Sequence, residues 1–137
     1  MQLQQFEFDI KSEEECECGN LISLEEFKNI PFKIKRVYYI YGVDTSVSRG
    51  AHMHQASNQV MICVLGSCEV LLDDGKEQKK VLLDEPNKGL LHEKMIWVEM
   101  NDFSKDCVLM VLSDGGYDPD DYVRDYDQFL ELTKVDA

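Results

Sequence analysis

The chain predicts an all-β domain, an antiparallel sandwich or barrel, closing with a short helical C-terminal tail. Three observations carry this. Short runs rich in β-branched and aromatic residues recur along most of the length. Tight turn signals (LGSC, DDGKE, EPNKG, NDFSKD) separate them. A different pattern, acidic with spaced aromatics, begins only at Pro119.

In chain order, QQFEFDI alternates at its start, and NLISLEE follows a glycine turn as a second strand signal. SLEEFKNIPF reads as a strand end running into a turn, stopped at Pro31. IKRVYYIYGV, NQVMICVLG, SCEVLLDD, KKVLLDEP, GLLHEKMIWVEM and DCVLMVLSD each read as one strand. Asp73-Asp74-Gly75 is a plausible hairpin tip, because Asp and Gly tolerate positive φ. In DPDDYVRDYDQFLELTKV the apolar set Tyr122, Tyr126, Phe129, Leu130 and Leu132 suits one amphipathic helix or two short turns. Its acidic residues come early, where a helix dipole favours them.

At 137 residues, with no repeat, low-complexity block or Pro/Gly/Ser linker, the chain reads as a single domain over 1–137. Fourteen basic against 27 acidic side chains give a net charge of −13. That is a poor footprint for binding nucleic acid or an anionic membrane, so neither is expected as a partner. A small anion that one or two arginines can hold is still admissible. No apolar run approaches the roughly 20 residues of a membrane span, and the N-terminus lacks the pattern of a signal peptide. The expected location is cytoplasmic. The five cysteines fit that reading: Cys63, Cys68 and Cys107 stand in or beside apolar runs, as buried free thiols would. Cys16 and Cys18 form CxC without a second pair to complete four zinc ligands.

Residues 49–55, RGAHMHQ, carry the chemistry. On a strand, residues i and i+2 share a face, so His52 and His54 reach one cavity together. A metal, a satisfied pair of structural imidazoles, or proton transfer would each use such a pair. The cupins hold a metal with HxH, a downstream carboxylate and a third histidine. Here Gly66 falls at the expected turn, but the carboxylate position is Gln59 and the third-histidine region offers Val98. His92 lies six residues earlier and must be turned inward by its own strand to contribute. Two imidazoles without a carboxylate make a poor transition-metal site. Imidazole titrates near neutrality, so proton chemistry is the favoured use, and no metal is assigned.

The stretches KNIPFKIKRVYYIYGVDTSVSRG, AHMHQ, VLGSCEVLLDDG, MIWVEMNDFS and YDPDDYVRDYDQFL, in that order, resemble the sugar 3,4-ketoisomerases of the WxcM-like cupin group. The resemblance covers about residues 5–130. It implies a double-stranded β-helix, the cupin jelly roll, assembled as a homodimer with exchanged strands and working without metal or organic cofactor. It implies a thymidine diphosphate sugar, dTDP-4-keto-6-deoxyglucose, as substrate, in deoxyamino-sugar biosynthesis for surface glycans. His54 would be the base on carbon, His52 would handle hydroxyl protons, and Tyr38 would donate to the developing oxyanion. Tyr38 and Tyr39 face opposite ways, so only one can share the cavity. Arg36 and Arg49 are the candidates for the diphosphate, with Trp97, Glu99 and Asn58 as further substrate-binding candidates. Gln55, Val98 and Cys18 depart from the family's usual residues, each removing a potential positive charge. A 3,5-epimerase-like enzyme and a catalytically silent sugar-nucleotide-binding cupin are the alternative readings.

Overall fold

The computed structural model describes residues 1–12, 15 and 17–134. Cys16, and with it the CxC pair as a unit, lies outside the described residues. Strand β1 spans Gln5–Glu7, and the short strands β2 (Lys11–Ser12) and β3 (Asn20–Leu21) pair with each other. NLISLEE therefore gives only two strand residues. An isolated bridge joins Glu26 to Ile30 ahead of Pro31. The main strands follow as β4 (Arg36–Tyr41), β5 (Arg49–His54), β6 (Gln59–Leu65), β7 (Cys68–Asp73), β8 (Gln78–Leu83), β9 (Lys88–His92), β10 (Trp97–Asn101) and β11 (Val108–Ser113). The DDG tip joins β7 to β8, with Gly75 at φ +92°.

Two five-stranded sheets form, ordered β1-β9-β6-β11-β4 and β12-β5-β10-β7-β8, where β12 is Tyr122–Val123. All pairings within them are antiparallel. Met61, Leu90, Leu109 and Val111 from the first sheet meet Val70, Leu72, Val98 and Met100 from the second in one shared core. The outer face of the first sheet is not bare. Val60, Ile62 and Leu112 alternate with the core residues and are covered by Ile22, Leu24, Ile30, Phe32 and Ile34 of the N-terminal segment. The second sheet is covered in the same way: Val123, Met53 and Trp97 lie side by side under Phe129. Burial on both faces explains why VMICVL reads as an unbroken apolar run rather than an alternating one.

Two expectations need correction. GLLHEKMIWVEM is not one strand: β9 and β10 lie in different sheets, joined by a turn in which Met95 adopts φ +68°. The tail is neither one helix nor two simple turns. Asp118 caps a 3-10 turn over Pro119–Asp121, β12 follows, and helix α1 occupies only Tyr126–Lys134. Tyr122, expected on the helix, sits in β12 because that segment pairs with His54 and Met53 of β5.

Candidate active site

The site forms where β5 ends and β6 begins. Between Gly50 and His52 the ladder with β10 slips: Gly50 faces Glu99 and His52 faces Val98, so Ala51 is extra. Gly50 and Ala51 take up the bulge with φ of +85° and +56°. A side chain at Gly50 would stand 3.0 Å from the Val98 carbonyl oxygen at a φ of +85°, so a larger residue there is strained by both contact and backbone. Bulges redirect side chains beside functional sites. This one leaves His52 and His54 facing the interior and Met53 facing out toward Trp97.

The two rings stand edge to face, 4.9 Å apart between centroids. Tyr122 closes over both, at 5.0 Å from His52 and 4.5 Å from His54. His92, at the end of β9, brings the third imidazole to 5.6 Å from His54. All three histidines of the chain are buried together.

His54 is oriented by a carboxylate. Its Nδ1–H donates to Asp121 Oδ2 at 2.8 Å. The Ser57 hydroxyl donates to the same oxygen at 2.5 Å, and the Ala56 backbone N–H to Oδ1 at 2.7 Å. Burial works to raise the Asp121 pKa, but Ser57, His54 and Ala56 together hold it below the usual carboxylate value. The fixed tautomer leaves the lone pair on His54 Nε2, which is buried without a hydrogen-bond partner. Burial lowers the pKa of His54, against the opposing pull of Asp121. His52 is driven further, to about 4, by burial and then by the nearby His54. His92 falls to about 3 through burial, and its Nε2–H donates to the Ile96 carbonyl at 2.7 Å. Near neutral pH all three rings are therefore uncharged. Two of them can accept protons, since His52 Nδ1 also has no partner.

Cationic groups gather beside these neutral rings. Arg36 donates to the Tyr122 hydroxyl at 3.0 Å and lies over the Tyr38 ring at 4.3 Å. Arg124 lies over the other ring, Tyr122, at 4.6 Å. Arg49 is exposed yet close enough to act electrostatically on the Tyr38 hydroxyl. The chain's only arginines are 36, 49 and 124, and all three bear on Tyr38 or Tyr122 beside the imidazoles. Tyr38 points inward while Tyr39 is 64 % exposed, and burial raises the Tyr38 pKa so that its hydroxyl keeps its proton.

The donor set does not suit a metal here. Gln59, at the carboxylate position, spends its amide N–H groups on Ser57 and Ser113. His54 Nδ1 and His92 Nε2 are committed to Asp121 and Ile96. Among the described residues, no set of three or more ligand atoms from these histidines and acids converges as a chelating group would.

The structure thus brings together His52, His54, Tyr38, Arg36 and Arg49. It does not bring the other three candidates to them. Trp97 lies on the opposite face of its sheet, against Tyr126 and Phe129. Glu99 shares that parity. Asn58 is consumed by two hydrogen bonds to Asp114 and one from the Lys94 backbone N–H. Sequence reasoning missed Asp121, Tyr122 and Arg124. Their signal was the DYVRDYDQF stretch, which periodicity alone assigned to a helix face.

Comparison with known proteins gives the family. The family model described as FdtA: WxcM-like, C-terminal matches residues 2–134. A TDP-4-oxo-6-deoxy-α-D-glucose-3,4-oxoisomerase of Aneurinibacillus thermoaerophilus is 50 % identical over 111 residues, covering 81 % of this chain and 80 % of the relative. A 3,4-ketoisomerase from Helicobacter canadensis superposes with a TM-score of 0.92 at 43 % identity, covering 98 % of each chain. The sugar 3,4-ketoisomerase QdtA of Thermoanaerobacterium thermosaccharolyticum, solved with TDP, gives 0.92 at 38 % identity over 98 % of this chain and 96 % of QdtA. The chain accordingly belongs to the WxcM-like family of sugar 3,4-ketoisomerases.

Proposed function

We propose that this protein moves the keto group between C4 and C3 of a dTDP-4-keto-6-deoxyhexose through an enediol or enediolate. One observation carries the reading: every histidine and every arginine of a chain with net charge −13 gathers around Tyr38 and Tyr122, where the imidazole rings are neutral and two ring nitrogens lack partners. A base with an idle lone pair and a cluster of guanidinium groups are what an anionic ketosugar requires. The relative QdtA, in a histidine-to-asparagine variant, was crystallised with TDP-4-keto-6-deoxyglucose.

In this reading His54 Nε2 takes the proton from C3 as the C4 carbonyl gains electron density and a proton. The hydrogen bond to Asp121 steadies the imidazolium that results. Collapse of the enediol withdraws the O3 hydroxyl proton, forms the C3 carbonyl and returns a proton to C4. His52, neutral at the start, relays the hydroxyl proton, and Tyr38 donates to the transient oxyanion. Arg36 and Arg49 pair with the diphosphate. No metal is assigned to these steps.

The same reading places the enzyme in the cytoplasm, in deoxyamino-sugar biosynthesis for a surface glycan. It also makes the enzyme a homodimer, for which the exposed Val37, Tyr39 and Tyr41 on edge strand β4 offer an apolar face. The test is incubation with dTDP-4-keto-6-deoxyglucose in D₂O, followed by NMR. A carbonyl signal moving from C4 to C3 with deuterium at C4 is the expected result. Exchange without movement would indicate an epimerase, and neither change a silent binder. His54→Asn should lower turnover about 10²–10⁴-fold; a variant keeping more than about a tenth of it would remove His54 from the role.

A further inference from the structure

Away from the histidines, three thiols converge that the proposed reaction does not use. Cys63 comes from β6, Cys68 opens β7 and Cys107 leads into β11. The three are buried at 1 %, 0 % and 4 % exposure and form no disulfide. Their sulfurs all lie within 4.8 Å of one another, with Cys63 Sγ and Cys107 Sγ 3.5 Å apart. Among the described residues this is the one group of three metal-ligating side chains whose donor atoms meet so closely. Cys63 stands four residues along β6 from Gln59, about 13 Å at the strand rise, so the cluster is separate from the imidazole cavity.

The short turn at Gly66-Ser67 separates Cys63 from Cys68, while Cys107 arrives from 44 residues beyond Cys63. Metal–sulfur bonds of about 2.3 Å around a three-coordinate ion set the sulfurs about 4 Å apart, close to the spacing already present. No imidazole joins the set, and the nearby Asp106 carboxylate is engaged by the Ser104 hydroxyl at 2.7 Å. Zinc favours four ligands, whereas an all-sulfur site selects softer ions such as Cu(I). The cluster lies close in sequence to the surface, with Leu65 exposed at the end of β6 and Lys105 and Asp106 exposed just before Cys107. The two segments touch tightly there: a side chain at Gly66 would approach the Cys107 Cα to 3.0 Å.

We propose that Cys63, Cys68 and Cys107 form a three-thiolate site for a soft d¹⁰ cation of the Cu(I) class. The test uses the full chain carrying Cys16→Ser and Cys18→Ser, reduced and free of oxygen, titrated with Cu(I) against a competing chelator. One equivalent should be retained, and X-ray absorption at the copper edge should report sulfur neighbours only, three in number. Cys63→Ala, Cys68→Ala and Cys107→Ala should each weaken retention by more than about 100-fold, beyond what loss of an outer-shell contact costs. Failure of the parent protein to compete for copper would overturn the proposal. So would nitrogen or oxygen neighbours in its absorption spectrum, a reading that stands even if an alanine variant does not fold. Unchanged retention in folded alanine variants would overturn it as well.

Discussion

Replacing His92 by glutamine should make the fold less sensitive to acid. His92 is 2 % exposed, and burial holds its pKa near 3 against about 6.5 for a free imidazole. Because the folded value is the lower one, the unfolded chain takes up the proton first. The stability tied to this group is therefore whole above about pH 6.5 and declines as pH falls toward about 3, where the decline ends. At about pH 4.5 the unfolded side chain is almost fully protonated and the folded one is not. Two pH units at about 1.4 kcal/mol each give a loss of about 3 kcal/mol. The Ile96 carbonyl, its hydrogen-bond acceptor, offsets this only in part, and His54 and His52 repel a charge there. Glutamine keeps an N–H for that carbonyl and has no proton to gain. Urea unfolding of both proteins at about pH 7 and about pH 4.5 isolates the effect, because the many carboxylates titrate alike in each and cancel. The wild type should lose about 2–3 kcal/mol more than the variant. Equal losses would refute the assignment of His92 as a buried neutral ring.

Asp121→Asn should cut turnover about 10²-fold or more while barely changing KM, because it disturbs the tautomer of His54 without touching the arginines; steady-state kinetics checks the split. Gly66→Ala should destabilise the fold by about 1–3 kcal/mol, measured by denaturant titration. Its Cβ would lie 2.3 Å from Ser104 Oγ at a φ of +70°. Trp97→Ala should cost about 3–5 kcal/mol of stability yet leave the KM of the folded fraction near the wild-type value, since the indole packs under α1 rather than in the cavity; melting and kinetics on one preparation test both halves.

Strand positions were legible because each strand's composition states its own preference. Thus VMICVL and CEVLLD needed no knowledge of their partners. The break between β9 and β10 was not legible. Its turn, Glu93-Lys94-Met95-Ile96, contains no Gly, Pro, Asn or Asp, and Met95 takes a left-handed conformation that its side chain does not advertise. What holds that turn is a hydrogen bond from the Met95 N–H to the His54 carbonyl at 2.7 Å, a tertiary contact. The histidine pair was legible by parity along one strand. Its carboxylate was not, for Asp121 lies 67 residues away and no local spacing joins it to His54. Trp97 shows the same limit from the other side. A single tryptophan next to a plausible pocket strand invites a binding role, and only the pairing of Trp97 with Met53 reveals that it faces outward.

That pairing also explains why the tail is built in pieces. A continuous helix from Pro119 would cover the outer face of β5 and β10 but would carry Asp121 and Tyr122 along its own axis. Breaking the segment lets Tyr122 and Val123 pair with β5 as a strand, which puts Val123 out against Trp97 and Tyr122 in over the imidazoles. The preceding 3-10 turn then drops Asp121 at the end of β5, where its carbonyl accepts from the Gln55 N–H and its carboxylate from His54. Helix α1 resumes only after the site is passed, burying Phe129 and joining Tyr126 to the buried Asp73 at 2.6 Å. The apolar contacts that anchor the tail are thus the same ones that hold the carboxylate to its histidine, so packing on one face of the sheet sets the orientation of the imidazole on the other.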